Sequence, residues 1–356
     1  MKRVVIKVGS STLVKEDGQI NAAFIGGLAA DCAQLIEEGT QPIIVSSGAI
    51  ALGLGALGWP HTRPNDMPTL QAAAAIGQVG FIRQYSDTFA LFGVQVGQVL
   101  LTRATTGSRE SYLHARDTIE RLLELGIVPI INENDTVAVD EIRFGDNDSL
   151  AAMVATTVGA DLVIILSDIE GLYTADPRED EDAELLETVS EISAAIEASA
   201  GGVGSRNGSG GMLTKVAAAR VLMAAGVPLV ICDGSRAHAV RDVAHGKHVG
   251  TTFFDADALG MHARKSWIAL GGKVKGSVVC DEGACAALRE RGSSLLPVGI
   301  TAVNGSFAPG DAVDLVDADG RLVGRGLAGW ASDVLAARIG QRGHDEFINR
   351  DELVIF

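Results

Sequence analysis

Positive charge, cysteine and aromatic side chains are all scarce in this 356-residue chain, and each shortage excludes something. Twenty-nine Lys and Arg stand against 45 Asp and Glu, a formal net charge of -16. A field of that sign repels nucleic-acid phosphates and anionic membrane surfaces, so a small anionic ligand needs cations placed locally. The four cysteines, Cys32, Cys232, Cys280 and Cys285, form no CxxC pair, and the seven histidines bring no thiolate cluster with them. That argues against a zinc site and for reduced, structural thiols. No apolar run approaches the roughly 20 residues of a membrane span. The opening MKRVVIKVGSS is too short in its apolar part, and too interrupted by lysine, for a signal peptide. A cytoplasmic protein is expected.

With aromatics at only 4%, the 47% hydrophobic content falls to Ala, Val, Ile and Leu, and 43 glycines accompany them. This is the composition of a compact, turn-rich α/β protein, and the length suits one large domain plus a small one. Val- and Ile-rich runs at 4-8, 42-46, 94-101, 127-131, 161-166 and 227-231 read as strands. Helical candidates lie between them at 21-38, 68-92, 109-125, 147-158 and 212-225. Such alternation predicts a mostly parallel sheet sandwiched by helices, its strands buried on both faces. In that architecture ligands bind beyond the carboxyl ends of the strands. Polar and glycine residues cluster there: GSS after the first run, SGA after the second, NEND after IVPII and SDIEGLY after DLVIIL. The charge run at 176-187 reads as a solvated loop and helix start. From about residue 273 short apolar stretches are broken by NG, PG and DG pairs, the pattern of a small β-rich domain.

Several residues carry candidate chemistry. Lys7 sits inside the first strand, where an ammonium group needs an anionic partner unless it snorkels from the strand end. Gly9-Ser10-Ser11 and Ser47-Gly48-Ala49 can bring backbone N–H groups close to an anion, the second at the start of an Ala/Leu-rich helix. Segment 131-155 gathers Asn132, Glu133, Asn134, Asp135, Asp146, Asn147 and Asp148. Asp146 or Asn147 could cap the following helix, but two acidic and amide clusters exceed what capping requires. They suit an ammonium group, a metal, or the orientation of lysines. GSGGMLTK (208-215) resembles a phosphate loop and yet fails the Walker pattern, because threonine precedes the lysine and the glycines bunch at the front. Placed before a helix, its amides and Lys215 can still face a phosphate.

Taken in order, KVGSS (7-11), SSGAI (46-50), INENDTV (131-137), GDNDSLAAMVA (145-155), SDIEGLYTADPR (167-178) and GSGGMLTK closely resemble the glutamate 5-kinases of the amino acid kinase family. RGSSLLPVGI (291-300) and GSFAPGD (305-311) resemble the PUA domain that many bacterial members carry. The likeness spans essentially the whole chain; Ser209 stands where threonine is common. It implies an amino acid kinase domain over 1-255, a linker over 256-272 and a PUA-like domain over 273-356. It also implies transfer of the γ-phosphoryl group of ATP to the side-chain carboxylate of L-glutamate, the first step of proline synthesis. The implied catalytic set is Lys7 and Lys215 on the phosphoryl group, with Asp148 orienting them. Glutamate is placed against Ser47, Asp135 and Asn147. ATP is placed against Lys7, Ser167, Asp168 and the run Ser209, Gly210, Gly211, Met212, Leu213, Thr214 and Lys215, with Mg2+ arriving on its phosphates rather than in a protein site. Homo-oligomers and handover of the labile product to a γ-glutamyl phosphate reductase are further implications. Three alternatives remain: a kinase of N-acetylglutamate or aspartate, an RNA-binding protein acting through the tail, and a catalytically silent regulator, which the presence of both lysines and Asp148 disfavours. The tail's nine Lys and Arg against twelve Asp and Glu, without a basic stripe, weigh against nucleic acid.

Overall fold

The computed structural model describes residues 1-102, 109-137, 147-178, 180-201, 211-254, 274-342 and 345-355. The chain separates into two compact units, Met1–Thr102 with Leu113–Leu259, and Arg103–Tyr112 with Gly260–Phe356.

In the first unit the strands are β1 (Arg3–Val8), β2 (Gln41–Ser46), β3 (Val96–Leu101), β4 (Val128–Glu133), β5 (Leu162–Ser167), β6 (Thr188–Val189), β7 (Leu229–Asp233) and β8 (Thr251–Phe253). Among the described residues they form one sheet in the order β3-β4-β2-β1-β5-β7-β8-β6. All pairings are parallel except β7 with β8, which run antiparallel. The central strands are buried along almost their whole length, as continuous Val/Ile runs covered on both faces must be. The expectation of full burial fails for β3, whose residues alternate between buried and open, because it lies at the sheet edge. The strand expected over 94-101 begins at Val96, and β4 runs on to include Asn132 and Glu133.

The helices are α1 (Ser10–Leu13), α2 (Ala22–Glu37), α3 (Ala49–Ala56), α4 (Met67–Ala90), α5 (Arg109–Glu124), α6 (Asn147–Val158), α7 (Ala194–Ser199), α8 (Met212–Ala224) and α9 (Ala239–Ala244). Side-chain caps set some of their starts: Asn21 accepts from the Phe24 amide at 3.3 Å and Asp66 from the Thr69 amide at 3.0 Å. α3 and α4 pack almost backbone to backbone. A Cβ on Gly77 would lie 1.9 Å from the Ala49 carbonyl oxygen, and one on Gly53 1.7 Å from that of Ala73. This contact fixes the start of α3, reached through Gly48 at φ +115°, a conformation that favours glycine.

Strand register then aligns the chemistry. Val8 pairs with Ser46 on one side and Leu166 on the other, and Ile131 of β4 pairs with Val45. Ser47, Asn132 and Ser167 therefore come to the same edge of the sheet, the carboxyl end. The charged run at 176-187 departs from expectation. No helix starts among its described residues. Instead the chain folds back, with Tyr173 bridging Leu185 and the Leu186 amide donating to Leu172 at 2.8 Å.

The second unit holds β9 (Val274–Cys280), β10 (Ile300–Gly305), β11 (Ala312–Val316), β12 (Leu322–Leu327) and β13 (Leu353–Ile355), in the order β10-β9-β11-β12-β13 among the described residues. The Asp319-Gly320 turn, with Gly320 at φ +82°, joins antiparallel β11 and β12 as the sequence suggests. The unit also carries α10 (Glu282–Arg291) and α11 (Ser332–Ala336), which a β-rich reading did not foresee. Its core is built on Val278, Val313, Leu315, Val323, Leu335 and Phe347. All four cysteines are free and buried. Burial pushes the thiols of Cys232 and Cys280 up to about 12, so they stay protonated and inert.

Candidate active site

Asp148, in the first turn of α6, is fully buried, and two buried lysines meet it. Lys7 of β1 places Nζ 2.6 Å from Oδ1, and Lys215 of α8 places Nζ 3.2 Å from Oδ2. Thr214 adds its hydroxyl 2.8 Å from Oδ2. Lys7 is only 6% exposed and Lys215 5%, which rules out snorkelling and leaves the ion pairs as the reason a charged strand residue is tolerated. Burial alone would raise the Asp148 carboxyl, but the ammonium groups of Lys7 and Lys215, with hydrogen bonds from Lys7 and Thr214, outweigh it and hold the group well below the ordinary carboxylate range. The carboxylate is therefore charged throughout the physiological range, and it spaces two ammonium groups on its two oxygens.

One residue earlier, Asn147 serves a different cluster. Its Nδ2 lies 2.8 Å from Ser47 Oγ, 2.9 Å from Asn132 Oδ1 and 3.1 Å from the Ser46 carbonyl oxygen. Asn132 in turn donates to Gln78 Oε1 at 3.0 Å and accepts from the Glu133 amide at 2.8 Å. Beneath them the Ser46 hydroxyl lies 3.0 Å from that of the fully buried Tyr85. Ser47 and Asn147 are thus brought together, whereas Asp135 takes no part in these contacts. Asp135 lies in the turn after β4, where burial pushes its carboxyl up to about 6 against the opposing charge of Arg63.

On the other flank a cavity opens between the end of β5 and the start of α8. Ser167, Asp168, Gly211, Met212 and Lys215 all line it, together with the apolar Ile169, Leu172, Tyr173, Pro177 and Ala200. Ser167 donates to its neighbour Asp168 at 3.2 Å. Within the expected nucleotide run the structure divides the residues. Gly211, Met212 and Lys215 face the cavity, Thr214 turns to Asp148, and Leu213 is 52% exposed. Ser209 and Gly210 lie outside the described residues, as does Asp146.

A lysine pair on one carboxylate stands between an amide and hydroxyl cluster and a cavity of mixed polar and apolar lining, an arrangement suited to an anion. The model of the amino acid kinase family matches residues 2-233, and that of the PUA domain residues 276-345. The chain belongs to the amino acid kinase family.

Relatives within it align over the full length. A glutamate 5-kinase of Pelobacter propionicus is 43% identical, covering 100% of this chain and 98% of that one. One of Paraburkholderia phytofirmans is 44% identical over 99% and 98%, and one of Moorella thermoacetica 42% identical over 99% and 96%. A solved UMP kinase of Bacillus anthracis, 16% identical, superposes with a TM-score of 0.50 over 73% of this chain and 99% of its own, a likeness of fold alone. Two features escaped the sequence reading, one at the cavity and one beside Asp135. The excursion at 176-178, read there as a solvated loop, folds back to line the cavity through Asp176, Pro177 and Arg178. Arg63, whose charge acts on Asp135, carries no motif around it. Spacing shows neither, because the first depends on the fold-back at the Tyr173–Leu185 bridge and the second on a partner far along the chain.

Proposed function

We propose that this member of the amino acid kinase family transfers the γ-phosphoryl group of ATP to the side-chain carboxylate of L-glutamate, giving γ-glutamyl phosphate and ADP. The observation that carries the reading is the Lys7-Asp148-Lys215 arrangement, in a chain whose full-length relatives bear the name glutamate 5-kinase. Lys7 and Lys215 face the phosphoryl group. In the transition state negative charge spreads over the phosphoryl oxygens, and two fixed ammonium groups stabilise it without a covalent enzyme intermediate. A side-chain oxygen of glutamate forms the new O–P bond as the bond to the ADP oxygen breaks. A carboxylate is already nucleophilic, so no general base is needed.

Ser47 and Asn147 hold glutamate at the start of α3 and α6, and Asp135 attracts its α-ammonium group. The adenine lies in the cavity by Met212 and Tyr173, beside Ser167 and Asp168. Mg2+ bound to the ATP phosphates would supply charge neutralisation on their oxygens; Asp148 is already held by two ammonium groups and a hydroxyl. The assembly is a homo-oligomer in the cytoplasm, the domains run over 1-255 and 273-356, and the labile acyl phosphate passes to a reductase. The PUA domain acts as a structural or regulatory module rather than an RNA-binding one, in keeping with its acidic balance. A gel shift at moderate salt that showed tight, competable RNA binding would contradict this.

The test is hydroxylamine trapping on purified protein with ATP, Mg2+ and, separately, L-glutamate, N-acetyl-L-glutamate and L-aspartate. Hydroxamate with free L-glutamate alone is the expected result. Product with another acid instead would move the substrate assignment and keep the lysine roles; no product with any of them would overturn the reading.

A further inference from the structure

Thr214 belongs to the run expected to contact the nucleotide, yet its hydroxyl points elsewhere. Oγ1 lies 2.8 Å from Asp148 Oδ2 and equally 2.8 Å from the Gly211 carbonyl oxygen. A hydroxyl carries one hydrogen, so it donates to one of these two acceptors at a time. The Gly211 carbonyl already receives the Thr214 amide at 3.3 Å. The carboxylate is ionised and buried, and a charge-assisted hydrogen bond is the stronger of the two. The proton therefore goes to Asp148.

From this geometry we infer that Thr214 is a positioning residue that locks the Asp148 carboxylate, and not a phosphate ligand. The inference deepens the kinase reading proposed above and rests on it for its kinetic consequence. Lys7 pairs with Oδ1, while Lys215 and Thr214 share Oδ2. Both lysines stand on this one carboxylate, so a rotation of its plane would displace both ammonium groups together. When a triphosphate competes for the ammonium groups, the pull on Asp148 from both lysines weakens. The Thr214 bond does not compete for phosphate, so it keeps the carboxylate plane fixed and with it the spacing of the two cations. The first turn of α8 supplies both the hydroxyl and Lys215, which ties the cation to its anchor through a single peptide unit.

Thr214→Val removes the hydroxyl at constant shape, and Thr214→Ser restores it. A positioning role predicts that T214V lowers kcat by about 10-fold or more, with KM and Kd for ATP changed less than about threefold. T214S should regain kcat to within about threefold of the parent. A phosphate contact would instead raise KM and Kd for ATP. A second measurement needs no substrate: melting temperatures at pH 7.5 of the parent, T214V, D148N and the double variant. Action through Asp148 makes the drop caused by T214V clearly smaller in the D148N background.

A rise in ATP KM at unchanged kcat, a T214S variant as slow as T214V, or additive melting drops would each overturn the inference. If the parent protein makes no hydroxamate at all, the kinase reading fails and the melting cycle decides the role of Thr214 by itself.

Discussion

Asn147 and Asp148 are consecutive residues in one helical turn, yet their side chains serve separate clusters. Asn147 reaches Ser47 and Asn132, and Asp148 reaches Lys7, Lys215 and Thr214. Successive residues on a helix point about 100° apart, so a single peptide unit at the start of α6 sets the acceptor cluster beside the cation pair. On the proposed reading this is how the glutamate carboxylate is kept in line with the phosphoryl group.

Replacing Asn147 by Ala should therefore affect the acid more than the nucleotide. Three acceptors lose their shared donor, and the buried Ser46 carbonyl is left with less. KM for L-glutamate is expected to rise by 10-fold or more, about 1.4 kcal/mol, while KM for ATP changes little. A melt run alongside should register a loss of about 1–3 kcal/mol for the unsatisfied groups. Equal rises in both KM values would contradict the division of labour.

Asp148→Asn tests the other cluster. Removing one partner of a buried ion pair typically costs about 3–5 kcal/mol, and here two ammonium groups lose their counter-charge together. Turnover and melting temperature should both fall, the latter by more than in the lysine variants considered below, each of which leaves Asp148 one ammonium partner. A D148N enzyme with parental turnover would remove the carboxylate from the account.

Asp135 gives a pH signature. Its carboxyl is raised to about 6 by burial, against the opposing charge of Arg63, whereas the unfolded chain ionises near the ordinary value of about 3.9. Between those limits the folded state binds more protons, so this group's contribution makes the protein more stable as pH falls from about 6 towards 4 and less stable above 6. Asp135→Asn should remove that slope and raise the melting temperature above pH 7. If the ionised carboxylate attracts the substrate ammonium, KM for L-glutamate in the parent rises as pH drops through about 6. In D135N it is high and flat. A parental KM profile with no such rise, measured from pH 5 to 8, would separate Asp135 from substrate binding.

Met212 lines the cavity with Tyr173 and Pro177, where the proposed reading places the adenine. Met212→Trp fills it, and KM for ATP should climb by about 10-fold or more with KM for L-glutamate nearly unchanged. Unaltered ATP affinity would place the base elsewhere.

Much of this was legible in the residues. A lysine inside a Val/Ile run and an acidic and amide cluster following another such run lay towards the carboxyl ends of strands, where a parallel sheet gathers them, and the second lysine stood behind glycines in the first turn of an expected helix. The helix expected over 147-158 matches α6, and that over 212-225 ends one residue beyond α8. What stayed hidden depends on distant partners. β8 has three residues and lies between β7, to which it runs antiparallel, and the two-residue β6. The charges at 176-178 describe a solvated loop until the Tyr173–Leu185 bridge folds it back onto the cavity. The facing of Thr214 is a rotamer, which no pattern of spacing encodes.

The central claim is that Lys7 and Lys215 together stabilise the transferring phosphoryl group. The most direct measurement is the hydroxamate rate at saturating ATP and L-glutamate for K7A and K215A, with each protein's circular dichroism melt recorded in parallel. The account predicts that each variant stays folded and loses about a thousandfold or more in kcat, the range for removing a fixed charge from a phosphoryl-transfer site. Near-parental turnover in either folded variant would contradict it.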